Sequence, residues 1–386
     1  MRQNFASHEH DSSFVWKKRQ ASLSPLLWPA GKVYGLLMAM RRIAWEQGFK
    51  SAHRVHKPVI SVGNVAWGGT GKTPLVTWFL DWAKDQNLRP AVLTRGYKAT
   101  PPSLPYLVHD ESLARDVGDE PLLLARSAPH AFVMVDPIRS RAADHLMHGA
   151  IRENGAEIQP DIFLLDDGLQ HLAMARDMDL ILMRPEDVTS QWNCIIPQGS
   201  WREGKGVLKR ASAFLFKMEP DDFLALAPTI EKRLGTYKKP IFSFSLQAKH
   251  LERVGYQRRA VNIENPIVDN FNGAPYMLIS GVGEPSQVRQ TAINYLDYPP
   301  AEHRIFNDHH SFTLQDTQNL AREAAQKNLV MLCTPKDAVK LERLMNAPLW
   351  TFGLETRFGP ALCTDVCQDL TFEEWWNVKW QELNAV

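Results

Sequence analysis

Val59-Ile-Ser-Val-Gly-Asn-Val-Ala-Trp-Gly-Gly-Thr-Gly-Lys-Thr-Pro74 runs directly into Leu75-Val-Thr-Trp-Phe-Leu80. Val59 to Val62 reads as a buried strand, a glycine-rich turn follows, and an apolar-periodic helix begins at Gly71-Lys72-Thr73. That is the layout of a phosphate-binding loop. Gly68, Gly69 and Gly71, with Thr70 between them, let backbone N–H groups converge on phosphate oxygens, and the helix N-terminus adds its positive end. Lys72 is expected to reach the β and γ phosphates of a nucleotide, and the Thr73 hydroxyl to hold Mg²⁺. One departure stands out: the first glycine of the usual G-x-x-x-x-G-K-T falls at Ala66.

Outward from this loop, short apolar runs alternate with helix-like segments. Ala91 to Thr94, Phe132 to Val135, Ile162 to Leu165, Leu180 to Met183 and Phe214 to Phe216 read as further buried strands. Continuous apolar runs of this kind indicate a parallel sheet covered on both faces. After Pro240 the texture changes to an alternating run, Ile241-Phe-Ser-Phe-Ser-Leu246, then polar sequence to Gly273, which reads as exposed antiparallel strands between two lobes. Tyr276 to Ile279, Leu329 to Leu332 and Leu349 to Phe352 begin a second set of strands. The expected fold is therefore α/β: a P-loop NTPase-like parallel sheet core with a second, smaller α/β lobe joined by a β-strand linker. The expected division is a basic amphipathic segment over 1–50, the phosphate-loop domain over 51–238, a two-stranded linker over 239–273 and a C-terminal α/β lobe over 274–386.

A phosphate loop of this kind predicts an acidic partner at the tip of a neighbouring strand. Ile162-Phe-Leu-Leu-Asp-Asp-Gly-Leu-Gln-His171 supplies it, with Asp166 and Asp167 just past the apolar run. One carboxylate together with Thr73, waters and the nucleotide suffices for Mg²⁺, which takes few ligands from protein. Gln170 and His171 follow where they would face a ligand. A third acidic site lies in Val117-Gly-Asp-Glu-Pro121, where Asp119 or Glu120 would accept the proton of an acceptor hydroxyl. Without that role the segment reads as a helix N-cap. Ile305-Phe-Asn-Asp-His-His-Ser-Phe-Thr313 reads as a polar loop or, from its two histidines and Asp308, as part of a metal site that no second cluster completes.

The charge is unevenly placed. Residues 1–60 hold ten Lys or Arg against three Asp or Glu, although the whole chain of 386 residues is close to neutral at +1. This basic head is also apolar: Lys17, Lys18 and Arg19 are followed by Leu23, Leu26, Leu27 and Trp28, then by Val33 to Trp45 with Pro29 as the expected first helical residue. Its longest uncharged stretch, Gln20 to Gly31, is 12 residues, well short of the roughly 20 that span a bilayer. A signal peptide would carry its apolar segment earlier and end at a small-residue cleavage site. An interfacial helix on a membrane surface fits, and a helix packed on its own domain is the plainer alternative. Composition near the globular average, 44% hydrophobic and 23% charged, excludes disorder and fibre. Cys194, Cys333, Cys363 and Cys367 lack zinc-site spacing and read as free thiols.

These motifs together resemble the tetraacyldisaccharide 4'-kinases of lipid A biosynthesis over nearly the whole chain, to about Lys340. The resemblance rests on Val62-Gly-Asn with Gly-Gly-Thr-Gly-Lys-Thr-Pro74, Thr94-Arg-Gly-Tyr97, Gly118-Asp-Glu-Pro121, Asp166-Asp-Gly-Leu-Gln-His171, Ile196-Pro-Gln-Gly with Arg202-Glu203, Asp308-His309-His310 and Lys336-Asp-Ala-Val-Lys340. That family also lacks glycine at the position of Ala66. It usually has Glu where Pro335 stands and differs around Ser200-Trp-Arg-Glu203 and from Asp136 to Arg141. The resemblance implies Asp119 as catalytic carboxylate, supported by His309 from the C-terminal lobe. It implies Asp166 and Asp167 at Mg²⁺ and nucleotide, and Arg95, Tyr97, His171, Arg202 and Glu203 at the lipid headgroup. Implied too are ATP with Mg²⁺, a tetraacyldisaccharide 1-phosphate substrate, lipid IVA as product and a place at the cytoplasmic face of the inner membrane, peripheral or monotopic. Neither nucleic acid nor an obligate protein partner is expected. The alternative class is a P-loop ATPase or GTPase switch or metallochaperone at the membrane surface. Against GTP, Thr334-Pro-Lys-Asp337 has the residues of a base-reading motif in the wrong order.

Overall fold

The computed structural model describes residues 12–148, 152–153, 156–255, 267–362 and 370–384, with side-chain surroundings given from residue 26 onward. Cys363, Cys367 and part of the expected linker lie outside the described residues. Cys194 and Cys333 are free.

The strands are β1 (Val59–Asn64), β2 (Pro90–Thr94), β3 (Tyr106–Leu107), β4 (Phe132–Val135), β5 (Arg152–Glu153), β6 (Ala156–Glu157), β7 (Ile162–Asp166), β8 (Met178–Met183), β9 (Ala213–Lys217), β10 (Ile241–Arg253), β11 (Ile267–Val268), β12 (Tyr276–Ser280), β13 (Glu302–Ile305), β14 (Val330–Cys333) and β15 (Leu349–Leu362). All but the β5–β6 hairpin belong to one sheet, in the order β13-β12-β14-β15-β10-β9-β8-β1-β7-β2-β4-β3, with β11 beside β10. From β10 through β9, β8, β1, β7 and β2 to β4 the pairing is parallel. The β13-β12-β14-β15 set is parallel as well. The two parallel sets meet at a single antiparallel seam, β10 against β15.

The apolar runs are continuous because both faces are covered. In β7, Ile162 and Leu164 enter the core beneath α2 (Lys72–Asp85), whereas Phe163 and Leu165 enter the opposite core with Val59, Ala91 and Leu93. The C-terminal helix Phe372–Asn384 closes the first of these cores. Its Trp376 stands edge-on to Phe79 and Trp82 of α2, with ring centroids at 4.7 and 5.1 Å.

Two expectations are corrected. The run after Pro240 is not exposed at its start: Ile241 to Ser245 is buried between β9 and β15, and only from Leu246 onward does β10 alternate. Its serines at 243 and 245 sit inside the sheet, so the polar beat that suggested a solvent face is a backbone-packing detail. The N-terminal helix α1 (Ser12–Glu46) does not start at Pro29 but runs through it. A proline within a helix removes an N–H and displaces a carbonyl, and Pro29 sits on an exposed side where that carbonyl can turn to solvent.

α1 docks on the body through its smallest residues. Gly31 and Gly35 are buried, and a Cβ at Gly35 would lie 2.6 Å from the Ile195 side chain, one at Gly31 3.0 Å from the Ile195 carbonyl. Arg42 and Arg41 donate to the carbonyls of Gly206 and Gln170 at 3.3 and 3.2 Å. Leu26, Val33, Leu36, Leu37, Met40 and Ile43 consequently face away from the body, and Leu26 is 78% exposed. Among the described residues no helix is long and apolar enough to cross a membrane. Gly35→Leu is expected to lift α1 from the body: amide exchange and proteolysis across residues 26–46 rise while the unfolding midpoint of the body stays in place. Unchanged protection of that segment would refute this docking.

Candidate active site

Both parallel sets end on one cleft, as open α/β sheets place ligand sites beyond the carboxyl ends of their strands. From β1 the chain turns through Trp67 to Gly71 and enters α2. Gly71 has φ 87°, and a Cβ there would meet Phe244 at 2.9 Å, so glycine is required on two counts. Gly68 has φ 113°. Ala66 has no left-handed backbone and is bridged to Trp201, which is why this position tolerates a side chain. Inside the turn, Asn64 Nδ2 donates to Thr70 Oγ1 at 3.0 Å.

Asp166 and Asp167, at the end of β7, differ sharply. Asp166 Oδ2 accepts from Thr94 at 3.1 Å, while its Oδ1 is buried with no hydrogen-bond partner. Burial, reinforced by the charge of Glu120, pushes its carboxyl up to about 6 despite Lys72 and Arg139. Burial also acts on Asp167, but Lys72 at 3.7 Å and Arg202 at 2.7 Å outweigh it and hold that carboxyl below its ordinary value. An unpartnered carboxylate oxygen beside a phosphate loop fits a hard cation completed by waters and phosphate oxygens. Among the described residues no three His, Cys, Asp or Glu gather into a closed metal cage, so Asp308-His309-His310 is not one.

Asp119 opens the helix Asp119–Ser127 behind Gly118, whose φ is 94°. The cap is Gly118 itself and no side-chain cap bond forms, which removes the N-cap reading of Asp119. Instead its Oδ2 meets His309 Nδ1 at 3.3 Å and Lys340 Nζ at 3.8 Å, both from the C-terminal lobe. Burial pushes the Asp119 carboxyl up, but the His309 hydrogen bond and the charges of Lys340 and Lys336 prevail and hold it low. His310 turns the other way, to Asp316 at 3.4 Å. Arg126 and Glu342, 2.6 Å apart, tie the same two lobes together beside this contact.

Arg139 lies buried under the acidic pair. It donates to the Asp166 carbonyl at 3.0 Å and to His171 Nδ1 at 3.3 Å. Burial and the charges of Arg139 and Arg176 push His171 down to about 4, so the ring is neutral at physiological pH. With Nδ1 accepting, the proton sits on Nε2, which is buried without a protein partner and available to a ligand. Gln170 is held by the Asn64 carbonyl at 3.1 Å and by Arg202 at 3.1 Å. Arg95 and Tyr97 line the same cleft, with Tyr97 edge-on to His309 at 6.2 Å.

Glu203 is placed elsewhere. It is 2% exposed and lines a separate cavity of about 260 Å³ beneath α1, with Lys32, Gly35, Arg42 and Asn193. Burial pushes its carboxyl up, partly offset by Arg210 and Arg42. Sequence reasoning gave no role to Thr94, although it opens the Thr94-Arg-Gly-Tyr97 motif, and passed over Arg139. Lys336 and Lys340 were visible as a motif without a role. Thr334 and Asp337 form a helix cap, Thr334 Oγ1 accepting from the Asp337 N–H at 3.1 Å. Pro335 takes the first helical position, which suits proline.

A Gly-Lys-Thr turn between a central parallel strand and its helix, with carboxylates on the adjoining strand tip, defines a phosphate-loop NTPase fold. The family model described as tetraacyldisaccharide-1-P 4'-kinase matches residues 23–371, and the chain belongs to that family. A tetraacyldisaccharide 4'-kinase of Nitratidesulfovibrio vulgaris is 50% identical over 364 residues, 94% of this chain and 96% of the relative. One of Oleidesulfovibrio alaskensis is 44% identical over 367 residues, 94% of this chain and 97% of the relative. The fold is also that of the apo-form LpxK from Aquifex aeolicus crystallised in complex with ATP, at TM-score 0.64 and 24% identity over 87% of this chain and 95% of that one.

The raised Asp166 carboxyl has a measurable consequence. Its folded value lies above its unfolded one, so the group weakens the fold at pH above about 6 and ceases to do so below about 4. In magnesium-free buffer Asp166→Asn should therefore stabilise the protein at neutral pH by about 1–3 kcal/mol, with the gain fading as the pH falls. A lowered unfolding midpoint at neutral pH would overturn this assignment.

Proposed function

We infer that this chain transfers the γ-phosphate of ATP to the 4'-hydroxyl of tetraacyldisaccharide 1-phosphate, giving lipid IVA and ADP in lipid A biosynthesis. The observation that carries the reading is the Asp119–His309 contact, which sets a carboxylate from one lobe against a histidine from the other beside the phosphate loop. In the proposed reaction Gly68, Gly69, Thr70 and Gly71 hold phosphate oxygens through backbone N–H groups, and Lys72 holds the β and γ phosphates. Asp119 receives the proton of the 4'-hydroxyl as the new O–P bond forms and the bond to the β-phosphate oxygen breaks. Thr73 and Asp166, with Asp167 beside them, would hold Mg²⁺, which when bound neutralises phosphate charge. Arg95, Tyr97, Gln170, His171 and Arg202 are assigned to the headgroup, and among them His171 Nε2 and Arg202 Nε are buried without a protein hydrogen-bond partner. Glu203, lying under α1, is reassigned to holding that helix rather than to touching substrate. A GTP-driven switch is not favoured, since Thr334 and Asp337 are engaged as a helix cap.

Transfer of labelled γ-phosphate to a tetraacyldisaccharide 1-phosphate acceptor tests the reading, with Lys72→Ala near background. Asp119→Ala and His309→Ala are each expected to lower turnover by roughly a hundredfold or more, and the double variant to be little worse than the poorer single one. Multiplying losses would mean that the two residues work separately, and a damaging His310→Ala with a mild His309→Ala would reassign the histidine.

The exposed apolar side of α1, next to Arg41 and Lys32, supports a place on an anionic membrane surface, which we assign to the cytoplasmic face of the inner membrane, where ATP is available. Removing residues 1–50 should shift the protein toward the soluble fraction, and salt should weaken whatever association remains. Undiminished membrane recovery after that deletion would argue for another lipid-binding surface.

A further inference from the structure

We propose that the outer arm of Arg184 contacts the phosphoryl group in transfer, as an arginine supplied to the phosphate loop from within the same chain; the proposal rests on the kinase reading above. Arg184 follows β8, which lies beside β1 on the side away from β7 and its acidic tip. Its guanidinium is fixed along one edge. Nε and Nη2 donate to Asp187 at 3.2 and 2.9 Å, and Nη2 donates also to Ser200 Oγ at 3.0 Å. Asp187 is fully buried, so the fork cannot swing away without stranding a buried carboxylate. The remaining nitrogen, Nη1, has no hydrogen-bond partner among the described residues. It stands over the glycine turn: a Cβ at Gly68 would lie 3.1 Å from it.

The neighbours of Gly68 place this nitrogen at the acceptor end of the turn. Ser200 receives Arg184 on its hydroxyl and the Trp67 N–H on its carbonyl at 3.0 Å, so the arginine and the turn share one support. The Arg202 guanidinium lies over the Trp67 ring, 5.7 Å from its centroid, and pairs with Asp167. Trp67-Gly68 thus adjoins the acidic pair and the headgroup residues, whereas Gly71 opens α2 at the other end. A phosphoryl group in transfer spreads negative charge over its outer oxygens. An arginine arm already locked in place meets that charge with little reorganisation. The 4'-oxygen bonds to phosphorus and the bond to the β-phosphate oxygen breaks as described above; Arg184 keeps its protons throughout. Glu186 and, from the C-terminal lobe, Glu284 contribute further negative charge around it. The plainer role, capping the short helix Pro185–Val188 through Asp187, uses one edge of the guanidinium and leaves Nη1 idle.

The test uses the full chain in detergent micelles with Mg²⁺ in the buffer. Arg184→Ala should lower kcat by about a hundredfold, with KM for ATP and for the lipid acceptor changed far less. A second readout needs no lipid turnover: binding of ADP with aluminium fluoride, a stand-in for the phosphoryl group in transfer. The wild type should bind ADP about tenfold or more tighter when aluminium fluoride is present. Arg184→Ala should lose most of that gain while its affinity for ADP alone stays in place. Arg184→Lys keeps a cation for Asp187 but no second arm. It should fold as the wild type does and lose kcat nearly as far, which decides the point if Arg184→Ala does not fold. A kcat close to wild type in either folded variant or a loss confined to KM would overturn the proposal. So would an aluminium fluoride gain that is absent from the wild type or survives in Arg184→Ala. A wild-type enzyme that transfers no phosphate to the lipid would instead remove the kinase reading, and the aluminium fluoride comparison would still report on Arg184.

Discussion

The backbone ladder between β10 and β15 is the constraint on which the rest depends. Over Ile241–Arg253 and Leu349–Leu362 the two strands pair antiparallel, one edge of the seam continuing into β9 and the other into β14. Two parallel sheets that each need their own helices are thereby fused into one, and the carboxyl ends of both sets open on the same cleft. Without that seam the loop carrying Asp119 and the loop carrying His309, 190 residues apart, would share no frame.

Within the frame, three carboxylates that look alike in sequence are given different electrostatic lives. Asp119 and Asp167 each meet cations from other elements and stay ionised. Asp166 is buried with one oxygen unmatched and is pushed up to about 6, an arrangement the fold tolerates only where a ligand repays it. His171 is the neutral counterpart, kept uncharged by burial and by Arg139 beneath it.

Much of this was legible in the sequence, because its signals are local. The strand–glycine turn–helix order of Val59 to Leu80, the acidic end of the Ile162 run, and the pairing of apolar runs into a parallel core all follow from short stretches whose chemistry admits few readings. What was hidden depends on partners far along the chain. The Ile241 run reads as a half-exposed strand until β15 covers it. Glu203 adjoins Arg202 in sequence, yet the two side chains point into different cavities, since α1 folds back over one of them. Gly31 and Gly35 are unremarkable until Ile195 arrives, and helix entry at Pro29 was a fair inference from propensity that the longer apolar run overrode.

The helix Phe372–Asn384 bears on how the molecule comes into being. It seals the core around α2, which is made some 300 residues earlier, and β15, the partner of the central seam, likewise follows β10 by about 100 residues. Until that helix is made, Trp78, Phe79 and Trp82 lack the rings of Phe372 and Trp376 that pack on them. An early stop codon anywhere before Phe372 would take with it the packing of a helix made some 300 residues earlier.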